Sequence, residues 1–486
     1  MSPALLFVIF VICLFASIPV SGSMAIASLA PGLMGVDSIT AISFIRNCVE
    51  GVNSFSLLAI PMFILSGIVM ARGGVSRKLF DFFTYFIGKI PGGMPCAVIV
   101  TCLFYGAISG SAPATVAAVG SMTIPILLNL GYTREFTVST VCVAGSLGVI
   151  IPPSIPMVLY CMANSEASVG KMFTAGILPG FLIAGCLMVY AVFYCLRHGE
   201  DKERINKEVS TLRQRGFVKV FFTSFWALLS PVIILGSIYG GIASPTEAAT
   251  ISVFYALIVG LFIYRTLKVK DIPAILQETV QTYGPLLFVL GAAAAFAKVM
   301  AMLQIPAMVS DFMIATFHSK FMILLIVNIF LFFVGMVMDG GPAILLLTPI
   351  LWPIVKAVGI NEIHFGIMMI VNLAIGFVTP PIGINLFVAS RVGELPVMTV
   401  AKNVMPYICL FVVALVAIIS FPGISLTLVG GSASGTVQTA SGGAEGVEAI
   451  EAEYSTDNLE KLDIAADNIG EYNWFLGTDS SEDTVT

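Results

Sequence analysis

From residue 136 to residue 165 the chain carries no charged side chain, and in the middle of that run stand two adjacent prolines, Pro152 and Pro153. An apolar run of this length can cross the ~30 Å hydrocarbon core of a bilayer as a helix. Each proline, however, removes an intrahelical hydrogen bond and collides with the preceding turn, at about 3 kcal/mol or more. Backbone groups freed in this way have no water to bond in lipid, so such a helix is tolerated only where protein or a wet cavity surrounds the break. The segment therefore demands a fold that encloses it.

The rest of the chain supplies one. Of its 486 residues 58% are apolar and 10% charged, far below the roughly 25% charged residues of soluble domains. Further spans are expected at residues 3–20, 55–71, 137–164, 172–196, 221–240, 246–264, 284–303, 363–390 and 405–428, with a weaker one at 21–35. This is the pattern of an all-α polytopic membrane protein. Outer-membrane barrels alternate apolar and polar residues in segments of about 10 residues and do not fit. The N-terminal run has no basic residue before Arg46, so it reads as a retained first span facing away from the cytoplasm rather than a cleaved signal. The nine cysteines are scattered with no Cys-x-x-Cys pair, which indicates neither a metal site nor a disulfide framework.

Charge sets orientation. Residues 197–219 hold seven Lys or Arg and read as a cytoplasmic loop. Arg72, Arg77, Lys78 and Lys89 put 72–91 on the same side, as do Arg265, Lys268 and Lys270 for the loop after 264. After position 430 lie twelve of the 28 acidic residues in a Gly/Ser-rich segment with a single Lys461; it reads as a disordered tail on the opposite side. At 243–250, Ser244, Pro245 and Glu247 spell a helix start, with Ser244 and Glu247 as a reciprocal cap.

The proline device occurs twice. LGVIIPPSIPM at 147–157 matches IGFVTPPIGIN at 375–385, so that Gly148 and Gly376 lie 228 positions apart. The same 228 separates Gly131 from Gly359 and Pro125 from Pro353, and 229 separates Pro113 from Pro342. The chain thus contains an internal duplication. In each copy a stretch of small polar residues, GAISGSAPA or MVMDGGPA, precedes the broken helix. It is flanked by uncharged legs at 92–106 and 115–129, or at 321–335 and 343–355. Legs of about 14 residues rise only about 21 Å, too short to span, which predicts re-entrant hairpins with tips at membrane depth. The loop before the first hairpin is basic and the 304–320 loop before the second falls on the other side, so the hairpins enter from opposite faces. Two inverted hairpins and two broken helices are the architecture of an alternating-access transporter.

Among lone charges, Asp339 stands out, because carboxylates at membrane depth are costly and default to function. Lys298 is expected to snorkel to an interface, and His318 and His364 to lie in external loops. With no His-Glu-x-x-His and three histidines in all, an intramembrane enzyme is not expected. A channel would need the hairpins to form a pore with unsaturable flux.

At SLLAIPMFILSG, YGAISGSAPATVAAVGSMTIPIL, GSLGVIIPPSIPM, SPTEAA, GMVMDGGPAILLLTPIL and NLAIGFVTPPIGINLFVAS the sequence resembles the large membrane subunit of tripartite ATP-independent periplasmic (TRAP) transporters, the DctM-like family, over residues 3 to 428. The resemblance implies a sodium-coupled elevator for organic anions in the bacterial inner membrane. Its implied partners are a small four-helix DctQ-like membrane subunit and a DctP-like periplasmic binding protein; no nucleic acid is expected. One implied sodium site comprises Ser109, Gly110, Ser111, Gly145, Gly148 and Pro152. The other comprises Gly335, Asp339, Gly376, Thr379 and Pro380. Substrate contacts would come from Ala112, Pro113, Thr115, Ser154, Asn372 and Asn385. Loosened carbonyls and hydroxyls suit a hard cation.

The expected organisation runs as follows. Residues 1–91 are scaffold helices and a first arm, 92–171 the first transport repeat, and 172–320 further scaffold. Residues 321–392 are the second transport repeat, 393–429 a last transmembrane helix and 430–486 the tail. Two features depart from the family pattern: Asp339-Gly340-Gly341-Pro342 lacks the usual hydroxyl residue, and the tail extends past the usual end. A stand-alone sodium/dicarboxylate symporter of similar architecture differs only in needing no binding protein.

Overall fold

A computed structural model describes residues 4–35, 39–317 and 319–430, and within them the regular structure is helical throughout. The expected spans at 3–20 and 21–35 appear as two short helices, α1 (Ala4–Phe15) and α2 (Val20–Leu33), packed on each other. Ser17 in the left-handed region (φ 62°) and Pro19 stop the first helix inside the apolar run. Then come α3 (Ala41–Val52), capped by a reciprocal Thr40–Ser43 pair, and α4 (Ala59–Arg72). Gly74 (φ 71°) turns the chain into α5 (Val75–Ile87).

The first hairpin is α6 (Gly93–Ser109) and α7 (Ala112–Asn129), joined through Gly110 and Ser111. Its legs have 17 and 18 residues, rising about 26 Å rather than the expected 21 Å. Helix continues through Ala107, Ile108 and Ser109, because small polar residues interrupt hydrophobicity without interrupting a helix. Leg length alone therefore does not make this hairpin re-entrant. Next, α8 (Arg134–Gly145) runs into a tight turn at Ser146–Val149, breaks at Pro152 and Pro153, and resumes as α9 (Ile155–Ala163).

Six more helices follow: α10 (Val169–His198), α11 (Lys202–Gln214), α12 (Phe217–Tyr239), α13 (Pro245–Ile258), α14 (Ile272–Met302) and α15 (Ile305–Thr316). The stretch expected as a basic loop at 197–219 thus contains α11, which buries Ile205, Val209 and Leu212. Its Asp201 cap accepts the Arg204 N–H at 3.1 Å, and its cations point outward, which is why charge alone reads as loop. Between α10 and α11, Glu200 joins both ends of the first hairpin: it accepts the Gly92 N–H at 3.0 Å, and the Tyr132 hydroxyl donates to its other oxygen.

The Ser244–Glu247 cap of α13 is present: Ser244 Oγ accepts the Glu247 N–H at 3.3 Å and the Glu247 carboxylate accepts the Ser244 N–H at 2.7 Å. Ser244→Ala is expected to lower folding stability by about 1 kcal/mol. Thermal unfolding in detergent should show a reduced midpoint, with transport per folded molecule unchanged.

The second hairpin is α16 (Lys320–Val337) and α17 (Gly340–Ala357), again with two residues at the tip and legs of 18 residues each. It is followed by α18 (Glu362–Gly376), a break at Pro380 and Pro381, then α19 (Ile384–Gly393), α20 (Val397–Ser420) and α21 (Gly423–Leu426). Both Pro–Pro bonds are cis. His364 is not a surface residue: it is buried in α18, where Nδ1 lies 2.7 Å from Ser425 Oγ. His318 and the tail lie outside the described residues. Lys298 is exposed on α14.

Among the described residues nine helices are long and apolar enough to cross a membrane. They pack in one unit. Helix α4 lies along α13, and α14 along α2, α3 and α4, while α6 to α9 and α16 to α19 pack with α10 and α20. Direct packing of α14 on α17 and of α4 on α6 joins these sets, as do α5 through α6 and α12 and α15 through α14 and α17.

Candidate functional site between two hairpin tips

The first tip is built by a single left-handed residue. Gly110 (φ 62°) ends α6, and its carbonyl accepts the Ile155 N–H at 3.2 Å. Ser111 begins α7 in an extended conformation. Its carbonyl accepts Thr115 Oγ1 at 2.8 Å, and Thr115 Oγ1 lies 2.9 Å from Ser109 Oγ. Gly148 packs against this hydroxyl cluster so closely that a Cβ would stand 2.5 Å from Thr115 Oγ1. A Cβ at Gly145 would meet the Val116 side chain at 2.2 Å. Ser109, Gly110, Ser111, Gly145 and Gly148 are therefore brought together, with Thr115 among them. Pro152 and Ser154 lie buried in the adjacent break, where Ser154 Oγ donates to the Val149 carbonyl at 2.6 Å.

The second tip repeats the contact with other residues. The Met336 carbonyl accepts N–H groups from Ile382 and Gly383 at 3.3 and 3.4 Å. Ile155 and Gly383 are themselves 228 positions apart. Gly376 touches Gly335 backbone to backbone, since a Cβ there would lie 2.5 Å from Gly335 Cα. Thr379 follows: its N–H donates to the Gly376 carbonyl at 3.0 Å and its hydroxyl to the Ile375 carbonyl at 2.7 Å. Pro380 opens the break. Asp339 caps α17, accepting the Gly340 N–H at 2.7 Å, and otherwise faces open space. Among the described residues no donor reaches the carbonyls of Pro152, Pro153, Pro380 or Pro381, so these oxygens remain free to act as ligands.

Both tips wall one cavity of about 610 Å³, within the range of small-molecule sites, roughly 300–1,000 Å³. Ser109, Gly110, Ser111 and Pro113 line it from the first tip, and Asp339, Gly340 and Gly341 from the second. Val149, Ile155 and Leu159 add the first broken helix, and Phe377 the second. The remaining walls are α4 (Gly67, Ala71) and α14 (Glu278, Thr282, Leu286).

Asn372 and Asn385, expected to contact substrate, do not line this cavity. Asn372 is buried against α16 and donates to Asn328 Oδ1 and its carbonyl, both at 2.9 Å. Asn385 is buried against α8, donating to Ser146 Oγ at 3.1 Å. The two Asn join neighbouring elements inside the packed group. Ala112, Thr115 and Ser154 are likewise buried behind the wall rather than on it. Glu278, Thr282, Gly67 and Tyr105 were not anticipated. A span begun at 284 leaves Glu278 in a loop, although a carboxylate six residues before the apolar run is a visible signal once the helix is taken back to Ile272.

Comparison with known proteins agrees with this architecture. A family model described as the DctM component of tripartite ATP-independent periplasmic transporters matches residues 7–424. The isethionate TRAP transporter permease protein DctMQ of Oleidesulfovibrio alaskensis is 40% identical over 87% of this chain, which spans 66% of that longer relative. The C4-dicarboxylate TRAP transporter large permease protein DctM of Pseudomonas aeruginosa is 39% identical, covering 85% of this chain and 93% of its own. The sialic acid TRAP transporter large permease protein SiaM of Vibrio cholerae is 34% identical, covering 85% and 95%. Among solved structures, the Alcanivorax borkumensis YdaH transporter shares the fold, with a TM-score of 0.57, 15% identity and coverage of 78% of this chain and 88% of its own.

Proposed function

Because the chain belongs to the DctM family of tripartite ATP-independent periplasmic transporters, and is thus a multi-pass membrane permease component and not an enzyme, we propose that it moves an organic anion across the bacterial inner membrane by sodium-coupled, elevator-type alternating access. The observation that carries this reading is the convergence of both hairpin tips and both broken helices on one cavity. A tip hydrogen-bonded to the centre of a broken spanning helix sits at membrane depth, so both hairpins are re-entrant despite their long legs. An inverted repeat is part of this reading: the basic residues before the first hairpin favour a cytoplasmic base for it and, counting spans from there, an external base for the second.

Sodium fits the chemistry of the breaks. The first site offers Ser109 and Thr115 hydroxyls with the freed carbonyls at Pro152 and Pro153. The second offers Thr379 with the carbonyls at Pro380 and Pro381, and the Asp339 carboxylate stands on the same hairpin's tip. Such oxygen donors suit a hard monovalent ion, and filling both sites would fix each tip against its break. The moving unit comprises α6 to α10 and α16 to α21. Helices α1 to α4 and α12 to α14 form the scaffold, with α5 and α15 as the connecting arms. Grouping α10 with the moving unit follows from its packing on α6, α18 and α20. A DctQ-like subunit would enlarge the scaffold, and a DctP-like binding protein would deliver substrate to the external face. Isethionate, C4-dicarboxylates and sialic acid, the cargoes in the relatives' names, share a fixed negative charge and are the substrates to test.

The test is radiolabelled uptake into proteoliposomes holding this chain with its small subunit, with and without the binding protein. Uptake that requires an inward sodium gradient and the binding protein is the expected result. Replacing sodium by choline should reduce uptake to the level of empty liposomes. Sodium-driven uptake without the binding protein would replace this reading by a stand-alone symporter, and sodium-indifferent flux would overturn the coupling.

A further inference from the structure

The cavity presents an anion with walls whose charged side chains are both acidic, Asp339 on the second tip and Glu278 on α14. No Lys, Arg or His is among its lining side chains. The cation within reach is Arg72, next in sequence to the wall residue Ala71, which pairs across 206 positions with Glu278. Arg72 Nε and Nη2 both donate to one oxygen, Glu278 Oε2, at 3.0 and 2.5 Å. This is not the two-oxygen fork that holds such pairs most firmly. Among the described residues Nη1 makes no hydrogen bond, so the guanidinium keeps donors in hand. The side chains are 41% and 45% exposed. Separating the pair therefore strands no buried charge, and exposed pairs of this kind are held weakly. Both residues sit at the end of the cavity marked by Arg77, Lys78, Lys268 and Lys270, the cytoplasmic end.

We infer that Arg72 and Glu278 form an exchangeable ion pair at the exit mouth of the cavity. Arg72 leaves Glu278 to take the carboxylate or sulfonate of the departing substrate, and Glu278 expels the anion by reclaiming Arg72. The pair thus sets affinity on the inner face without touching the outer one. This inference rests on the transport reading above.

The test compares the two faces in the reconstituted complex, using whichever of isethionate, succinate and sialic acid the unmodified complex carries. External affinity is read from initial uptake. Internal affinity is read from inhibition of uptake by the same compound loaded inside. In Glu278→Gln, Arg72 is released to hold the anion: inhibition should set in at about 10-fold lower internal concentration and net uptake should slow. In Arg72→Gln, a bare carboxylate faces the anion, and inhibition should require about 10-fold more. Arg72→Lys, keeping the charge, should stay close to the unmodified complex. External affinity should not change in any of them. Opposite shifts confined to the inner face establish the exchange. Equal shifts on both faces, or loss of thermal stability with no change in internal affinity, would overturn it in favour of a purely structural pair. Failure of the unmodified complex to carry any of the three would instead overturn the transport reading itself, and the exchange with it.

Discussion

Asp339→Asn is expected to lower sodium-driven uptake by about 10- to 100-fold, the equivalent of losing one charged hydrogen-bond or ion contact worth roughly 1.5–3 kcal/mol. The substitution isolates charge from shape. Asn caps a helix about as well as Asp, so the start of α17 and the hydrogen bond to the Gly340 N–H should persist. Only the carboxylate facing the cavity is neutralised. The measurement is uptake as a function of sodium concentration, alongside thermal unfolding to show that the variant is folded. A raised sodium requirement would place Asp339 in coupling. Unchanged uptake with unchanged sodium dependence would reduce its role to that of a cap, as would full activity in Asp339→Ser.

The second large effect concerns Gly376. A Cβ there would lie 2.3 Å from the Gly335 carbonyl carbon and 2.6 Å from its oxygen, all main-chain atoms that no rotamer change moves aside. Gly376→Ala must therefore push the tip of the second hairpin off the second broken helix. Overpacking of this kind costs about 1–3 kcal/mol and occasionally more, and uptake should drop at least about 10-fold with it. Gly335→Ala serves as the control: its Cβ would come no closer than 3.1 Å to Leu373 Cα, and a milder loss is expected. If both variants transported equally, the backbone contact would have no part in the transport cycle.

The elements legible in the sequence are those with a local chemical cause. Pro152-Pro153 and Pro380-Pro381 break their helices where they stand, and the breaks fall there in the structure. Gly110 marks the first tip, because a left-handed residue is needed to end α6. Ser244 and Glu247 cap α13 as their spacing requires. What escaped has its cause elsewhere. The turn at Ser17 ends α1 five residues before the expected close of the first span, inside a run whose hydropathy does not change there. Helix α11 is stable because three apolar residues bury against neighbours, while its charges suggest a loop. Asn372 and Asn385 look like polar groups awaiting a ligand and His364 like a loop residue, yet each packs against a partner far away in sequence. Asn328, Ser146 and Ser425 supply those contacts. Glu278 and its link to Arg72 needed the fold to bring α4 and α14 together.

The Glu200 carboxylate, holding Gly92 at one foot of the first hairpin and Tyr132 just beyond the other, has a mechanical consequence. Two rods clasped at the base cannot splay there, so a force on either is shared by both. At the far end Gly110 and Ser111 already join the two legs covalently, so the first hairpin is closed at both ends. It moves as one stiff lever, and a displacement of its foot is carried whole to the tip, where Gly110 meets Ile155.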